Sequence, residues 1–172
     1  VNIGRRHYAL NAAFQNGPNS GKDVFIPMDW VIGGQEGIGQ GWRMLMNCLA
    51  AGRAISLPAT SVGAAKLAAR TSGAYSRVRT QFKTPIGFFE GIEEALARIG
   101  GNTYMMDAAR VMTAGAVDLG EKPSVVSAIV KYHLTERGRQ AVNDAMDIHG
   151  GKGICIGPRN YLGRTYKHIP VS

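Results

Sequence analysis

The sequence predicts a mainly α protein, an antiparallel bundle of long helices preceded by the end of a β region. Three observations point there. Residues 1–40 mix short extended runs with Gly, Pro and Asn punctuation, whereas strand signals disappear from Gly41 onward. Beyond that point come three long alanine-rich segments with apolar residues at helical spacing. The connections between them are short, which makes consecutive rods antiparallel neighbours. Two domains are therefore expected, with 1–40 the end of a β-domain and 41–172 a helical bundle without its last helix.

Within the first region, Asn16-Gly17-Pro18-Asn19 reads as a turn, Asp23-Val24-Phe25-Ile26-Pro27 as a strand and Gly33-Gly34 as a loop. The first helix is expected over Trp42 to Phe82, with Pro58 either kinking it or dividing it into a short and a long piece. Its small residues Gly63, Ala64, Ala65, Ala68 and Ala69 would let a neighbouring helix come close. The second is expected over Phe88 to Leu119, with a packed seam of Ile92, Leu96, Ile99, Thr103 and Met106 and a stop at Gly120. The third starts at Pro123 and ends at His149, where Gly150 can take a left-handed cap. Its inward row is Val126, Val130, Leu134, Arg137, Ala141, Ala145 and Ile148, with Arg137 as a polar intruder that snorkels or pairs between helices.

Composition narrows the function. A chain of 172 residues, 45% hydrophobic and 19% charged, can bury roughly 70% of its unfolded surface, so disorder is a poor reading. The 23 glycines show no collagen period. The uncharged stretch Ala54 to Ala65 contains Pro58 and falls well short of the ~20 apolar residues of a membrane span. A net charge of +8 favours anionic partners, but the cations are scattered along the chain, which argues against a nucleic-acid stripe. Cys48 and Cys155 lie in apolar surroundings and read as buried thiols in a reducing cytoplasm. The chain opens at Val1 and stops just after Ile169-Pro170-Val171, as an internal fragment of a longer protein does.

Several familiar motifs fail on spacing. Gly17-Pro18-Asn19-Ser20-Gly21-Lys22-Asp23 has three residues between its glycines where a phosphate loop needs four, and Asp23 stands where that loop needs Ser or Thr. Gly37-Ile38-Gly39-Gln40-Gly41 and Gly151-Lys152-Gly153 miss the dinucleotide-binding fingerprint. The four histidines form no pair at metal-ligand spacing. Glu90, Glu93 and Glu94 read as an acidic first turn favoured by the helix dipole.

Two segments resist a purely structural reading. Arg77-Val78-Arg79-Thr80-Gln81-Phe82-Lys83-Thr84-Pro85-Ile86-Gly87 places fixed cations and an aromatic where a long helix ends. Asp147-Ile148-His149-Gly150-Gly151-Lys152-Gly153 puts three glycines in four positions at another helix end. One stop needs one glycine, so the excess points to backbone lying against another surface or a ligand.

In this order and at this separation, the two segments resemble the acyl-CoA dehydrogenase family, where an arginine-bearing helix end R-x-x-F-G-x-P-I is followed by a helix ending in Q-x-x-G-G-x-G. Val24-Phe25-Ile26-Pro27, Ile32-Gly33-Gly34 and Gly37-Ile38-Gly39-Gln40-Gly41-Trp42 are similar to the family's passage from middle β-domain to helical domain, and Leu49-Ala50-Ala51-Gly52-Arg53 to its following L-x-x-x-R. Phe89 to Gly101 and Ile148 to Cys155 look most like the long bacterial branch that serves fatty-acid β-oxidation.

The resemblance implies an FAD enzyme that oxidises acyl-CoA to trans-2-enoyl-CoA: a carboxylate takes the α-proton and the β-hydride goes to flavin. It implies a homo-oligomer in which this domain reaches the neighbour's FAD, with an electron-transfer flavoprotein as acceptor. By position, Arg79 matches the arginine on the FAD diphosphate, Gln81 and Phe82 its neighbours, and Glu90 a residue near the flavin. Asp147, Ile148, His149, Gly150 and Gly151 match the segment passing the ADP half of the partner's FAD, and Arg53 an arginine at the acyl-CoA end. Lys83 stands where the family has glycine. Asp147 replaces the usual glutamine and is expected to turn away, pair with Lys152 or stand clear of the phosphates. The family's base lies in a Glu-Gly pair after the third helix, and none follows Val171, so no catalytic residue is assigned. The competing reading is a non-catalytic basic helical module that binds acidic partners.

Overall fold

In a computed structural model of the protein, residues 1–7 and 16–171 are described, side chains 50–54 and 171 excepted. The chain divides into two units, Val1–Met46 and Asn47–Ser172. In the first, β1 (Asn2–Ile3) pairs antiparallel with β2 (Asn19–Ser20), and a bridge between His7 and Asn16 extends the ladder. The expected turn at Asn16–Asn19 is therefore the returning arm of a hairpin, with the Gly4 amide donating to the Pro18 carbonyl at 2.8 Å. The expected strand at Asp23–Pro27 does not form. Among the described residues nothing pairs with it, and a strand without partners has no acceptor for its amides. The Gly33-Gly34 loop is present, with φ of 81° and 64° at its two glycines.

The second unit is built on three long helices, the first of which begins within the first unit. α1 spans Gly41–Val78, α2 Glu90–Asp118 and α3 Ser124–His149. α1 runs unbroken through Pro58, whose ring is fully buried, so packing offsets the backbone hydrogen bond that proline cannot make. It ends four residues short of the expected Phe82, because Thr80 onward turns back as a β-hairpin. α2 and α3 fall within two residues of their expected limits at each end.

The expected seams form the core. Ile99 and Met106 of α2 and Ala141 and Ala145 of α3 have no exposed surface, and Val130, Leu134 and Ile148 are buried beside them. Val126, at the start of the same row, remains 37% exposed. α1 contributes small residues, Ala65 and Ala68, both fully buried. Gly63 is a correction: it is exposed, with no neighbour against it. The close approach to α3 lies instead at Ser61, since a Cβ added to Gly138 would stand 3.0 Å from the Ser61 Cβ.

Ion pairs fasten the rods along their length. Arg98 of α2 grips Asp144 of α3 through two nitrogens at 3.2 and 3.0 Å, and Lys66 of α1 meets Asp107 of α2 at 2.7 Å. Arg137 is paired between helices, its Nη1 donating to Asn102 Oδ1 at 2.8 Å. Beyond α3 come a short α4 (Gly151–Ile154) and α5 (Tyr161–His168), anchored by the buried Leu162. Both cysteines are exposed, Cys48 near the start of α1 and Cys155 just after α4, so the expectation of buried thiols is wrong. Among the described residues, no helix is long and apolar enough to cross a membrane.

Candidate functional site

The C-terminal ends of α1 and α3 stand side by side. Tyr75, in the last turn of α1, stacks on His149, the last residue of α3, with ring centroids 4.4 Å apart and planes 18° from parallel. His149 Nδ1 lies 2.8 Å from the Ala145 carbonyl, a contact that requires the proton on Nδ1. Arg79 follows Tyr75 by about one helical turn and Gly150 follows His149 directly, so both sequence-predicted segments emerge at the same end of the bundle.

The first segment is a tight hairpin. β3 (Thr80–Gln81) pairs with β4 (Thr84–Pro85) across Phe82 and Lys83, whose φ values are +49° and +61°. Two left-handed residues make a turn of the mirror-image kind that joins antiparallel strands, but without the glycine or asparagine that usually relieves it. The strained tip is held by its base: the Ile86 amide donates to the Arg79 carbonyl at 2.9 Å, and Ile86 is buried. Gly87 leaves little room for a side chain, since a Cβ there would stand 3.2 Å from the Ser76 carbonyl oxygen. Arg79 and Gln81 are exposed, and Phe82 is 91% exposed. Among the described ion pairs, none engages Arg77, Arg79 or Lys83.

The second segment turns on Gly150, at φ 53° and ψ −134°, a conformation open in practice only to glycine. Its amide donates to the carbonyls of Met146 and Asp147, and its carbonyl accepts from Gly153 at 2.9 Å. A Cβ at Gly150 or Gly151 would meet nothing within 4 Å, so this backbone is open to an incoming group. Ile148 is buried and belongs to the core. Asp147 is exposed and lines a groove together with Gly150 and Gly151 of the hinge, Ile154 and Tyr166, whereas Lys152 lines a different cleft; the two are not among the described ion pairs.

That cleft, about 850 Å³, runs between the last turns of α1 and the loop from α4 to α5. Arg70, Lys152 and Arg159 border it with the Tyr75–His149 stack, and no carboxylate among the described residues does. Arg70, Tyr75 and Arg159 were not singled out from sequence. Tyr75 was legible only in hindsight, one turn before Arg79; the others carry no motif. Glu90 opens α2 with Glu93 in an acidic first turn, as expected, but lines neither groove. Arg53 lies in α1, and its side chain falls outside the described residues.

The residues present suit a diphosphate. An exposed guanidinium free of the described ion pairs supplies a bidentate fork, and open glycine backbone permits close approach. Fold and site together define a class: a long-helix bundle domain with a cationic, glycine-opened end. A family model described as the C-terminal domain of acyl-CoA dehydrogenase matches residues 39–172. The chain belongs to the acyl-CoA dehydrogenase family, whose cofactor is FAD.

Relatives agree. The chain is 34% identical over 138 residues to a 3-(aryl)acrylate reductase of Clostridium sporogenes, covering 78% of this chain and 35% of that protein. It is 29% identical over 173 residues to the probable acyl-CoA dehydrogenase FadE10 of Mycobacterium tuberculosis, covering 99% of this chain and 26% of that one. Protein HemX of Proteus mirabilis is 57% identical over 74 residues, 43% of this chain and 44% of that protein. The chain thus spans between about a quarter and less than half of these relatives. Among solved structures, butyryl-CoA dehydrogenase from Megasphaera elsdenii matches with a TM-score of 0.68 at 25% identity, over 77% of this chain and 34% of that one. An acyl-CoA dehydrogenase from Geobacillus kaustophilus shares the fold with a TM-score of 0.73 at 22% identity, over 77% and 34%.

Proposed function

We propose that the paired helix ends hold the diphosphate and ADP portion of FAD in an enzyme that oxidises acyl-CoA to trans-2-enoyl-CoA in fatty-acid β-oxidation. The Tyr75–His149 stack carries this reading, because it joins the helix ends from which the arginine-bearing hairpin and the glycine hinge emerge. Bound FAD supplies the acceptor for the β-hydride. Arg79 binds the diphosphate through paired charge-assisted hydrogen bonds, with Gln81 beside it. Phe82, projected from the strained tip, offers an aromatic face to the cofactor and excludes water there. Gly150 and Gly151 let the backbone approach the ADP half, and the exposed Asp147, which borders the same groove as the two glycines, turns its carboxylate to solvent. Arg53 is assigned to the acyl-CoA end by position in the family pattern, and Glu90 to the vicinity of the flavin.

On this reading residues 1–40 end the middle β-domain and 41–172 form the helical domain. The protein is a cytoplasmic homo-oligomer in which one subunit's bundle end serves the neighbour's FAD. It passes electrons to an electron-transfer flavoprotein. Arg79→Ala, introduced into the flavoprotein that contains this chain, is expected to weaken FAD binding by on the order of tenfold or more, read from flavin released on dilution. Undiminished FAD retention would overturn the assignment.

A further inference from the structure

Gly150 adopts a left-handed backbone conformation that side-chain packing does not enforce, since a Cβ there would meet only open space, and its amide is held by the Met146 and Asp147 carbonyls at the end of α3. What holds its carbonyl side is a relay that starts ten residues later in the sequence. The Gly153 amide donates to the Gly150 carbonyl at 2.9 Å. The Gly153 carbonyl in turn accepts from Asn160 Nδ2 at 2.9 Å, and the second hydrogen of that amide reaches the Cys155 carbonyl. These are carbonyls at the end of α4, which have no partner of their own within so short a helix. The other end of the same side chain caps α5: Asn160 Oδ1 accepts from the Gly163 amide at 2.9 Å.

The packing around this tie is close. A Cβ on Gly163 would stand 2.8 Å from the Gly153 carbonyl oxygen, and one on Gly153 would stand 3.0 Å from Met146 Sδ. Gly153 is thus clasped between α3 and α5, with Asn160 as the clasp, and α5 is itself fixed to the core through buried Leu162 and, directly after it, buried Ile169.

We propose that Asn160 is a positioning residue for the flavin site: its amide, donating to Gly153 and Cys155 while capping α5, holds the Gly150–Gly153 hinge in the shape that receives the ADP half of FAD. This rests on the flavin reading above. The cost of shaping the hinge is met before the ligand arrives, so release of the tie shows as weaker binding.

The two functions of the side chain can be separated. Asn160→Asp keeps the oxygen that caps α5 but replaces the donor with an oxygen that repels the two carbonyls. In the apo form of the flavoprotein containing this chain, amide exchange over residues 150–155 is expected to accelerate about tenfold while α5 keeps its protection. FAD affinity, measured by flavin fluorescence, is expected to fall about tenfold. Val142→Ala, a core variant on α3, lowers the Tm and leaves the affinity unchanged. Asn160→Ser, with a capping hydroxyl and no charge, carries the same test where the aspartate variant fails to accumulate.

Unchanged exchange at 150–155 overturns the tie. Faster exchange with wild-type FAD affinity, or an equal loss of affinity in Val142→Ala, overturns the positioning role. If Arg79→Ala also leaves FAD affinity intact, the flavin reading falls as well; if Arg79→Ala alone weakens it, only the assignment of Asn160 is lost.

Discussion

The middle of the bundle and the end that bears the hairpin and the glycine hinge are made from opposite materials. In the middle, Ala65, Ala68, Ala141 and Ala145 bring three helices together around Ile99 and Met106, and charged groups are spent on one another, Arg98 on Asp144 and Lys66 on Asp107. At the end, Arg79 and Lys83 engage no described carboxylate, Phe82 faces solvent, and two successive residues sit at positive φ. Stability resides in the first region. In the second, groups that could have been satisfied internally are left available to a ligand, at a cost that the first region must cover.

The largest effect tests the middle. Ile99 has no exposed surface, and Ile99→Ala is expected to cost about 2–5 kcal/mol in denaturant unfolding. The affinity of the folded fraction for FAD should remain that of the wild type. A variant that lost FAD affinity in proportion to stability would show that the two regions are not separable in this way.

The same division explains what the sequence made legible. The cores of α2 and α3 are written in a 3.6-residue period, so Ile99, Met106, Leu134 and Ala145 are identifiable one by one, and Arg137 is legible as a residue that snorkels or pairs between helices, of which its bond to Asn102 is the second. The hairpin was missed as a hairpin: Thr80–Pro85 carries no glycine or asparagine at its tip, so turn chemistry gave no signal and the helix was extended to Phe82. The strand expected at Asp23–Pro27 had the right residues, but pairing is a property of two segments, and local pattern sees one. The site arginine and glycines were visible through the resemblance and through glycine excess. Tyr75 and Asn160, which hold those segments in place, were not, because an aromatic stack and a side-chain tie between residues distant in sequence leave no local period.

The hairpin tip sharpens the comparison by a smaller amount. Lys83 at φ +61° carries a left-handed backbone penalty of about 1 kcal/mol or more, partly offset in any glycine variant by the greater entropy of the unfolded chain. Lys83→Gly is therefore expected to stabilise by about 0.5 kcal/mol, near 1–2 °C in Tm, whereas Lys83→Ala should give no such gain. A rise in both variants would point to relief of charge among Arg77, Arg79 and Lys83 instead of backbone strain.

The smallest effect belongs to pH and returns to the middle. Hydrogen bonds from Lys66 first, then Arg110, hold the Asp107 carboxyl below its ordinary range, against some desolvation. A lowered carboxylate contributes stability that is fully present above the unfolded value of about 4 and is lost as pH falls through the folded value. The Tm difference between wild type and Asp107→Asn should thus be constant from pH 7 to about pH 5 and shrink steadily below pH 4. Because both partners of Asp107 reach water, added salt should shrink it too. A difference that ignored both acid and salt would assign the role of Asp107 to packing, and the contrast between a middle that pairs its charges and an end that leaves them open would lose its electrostatic half.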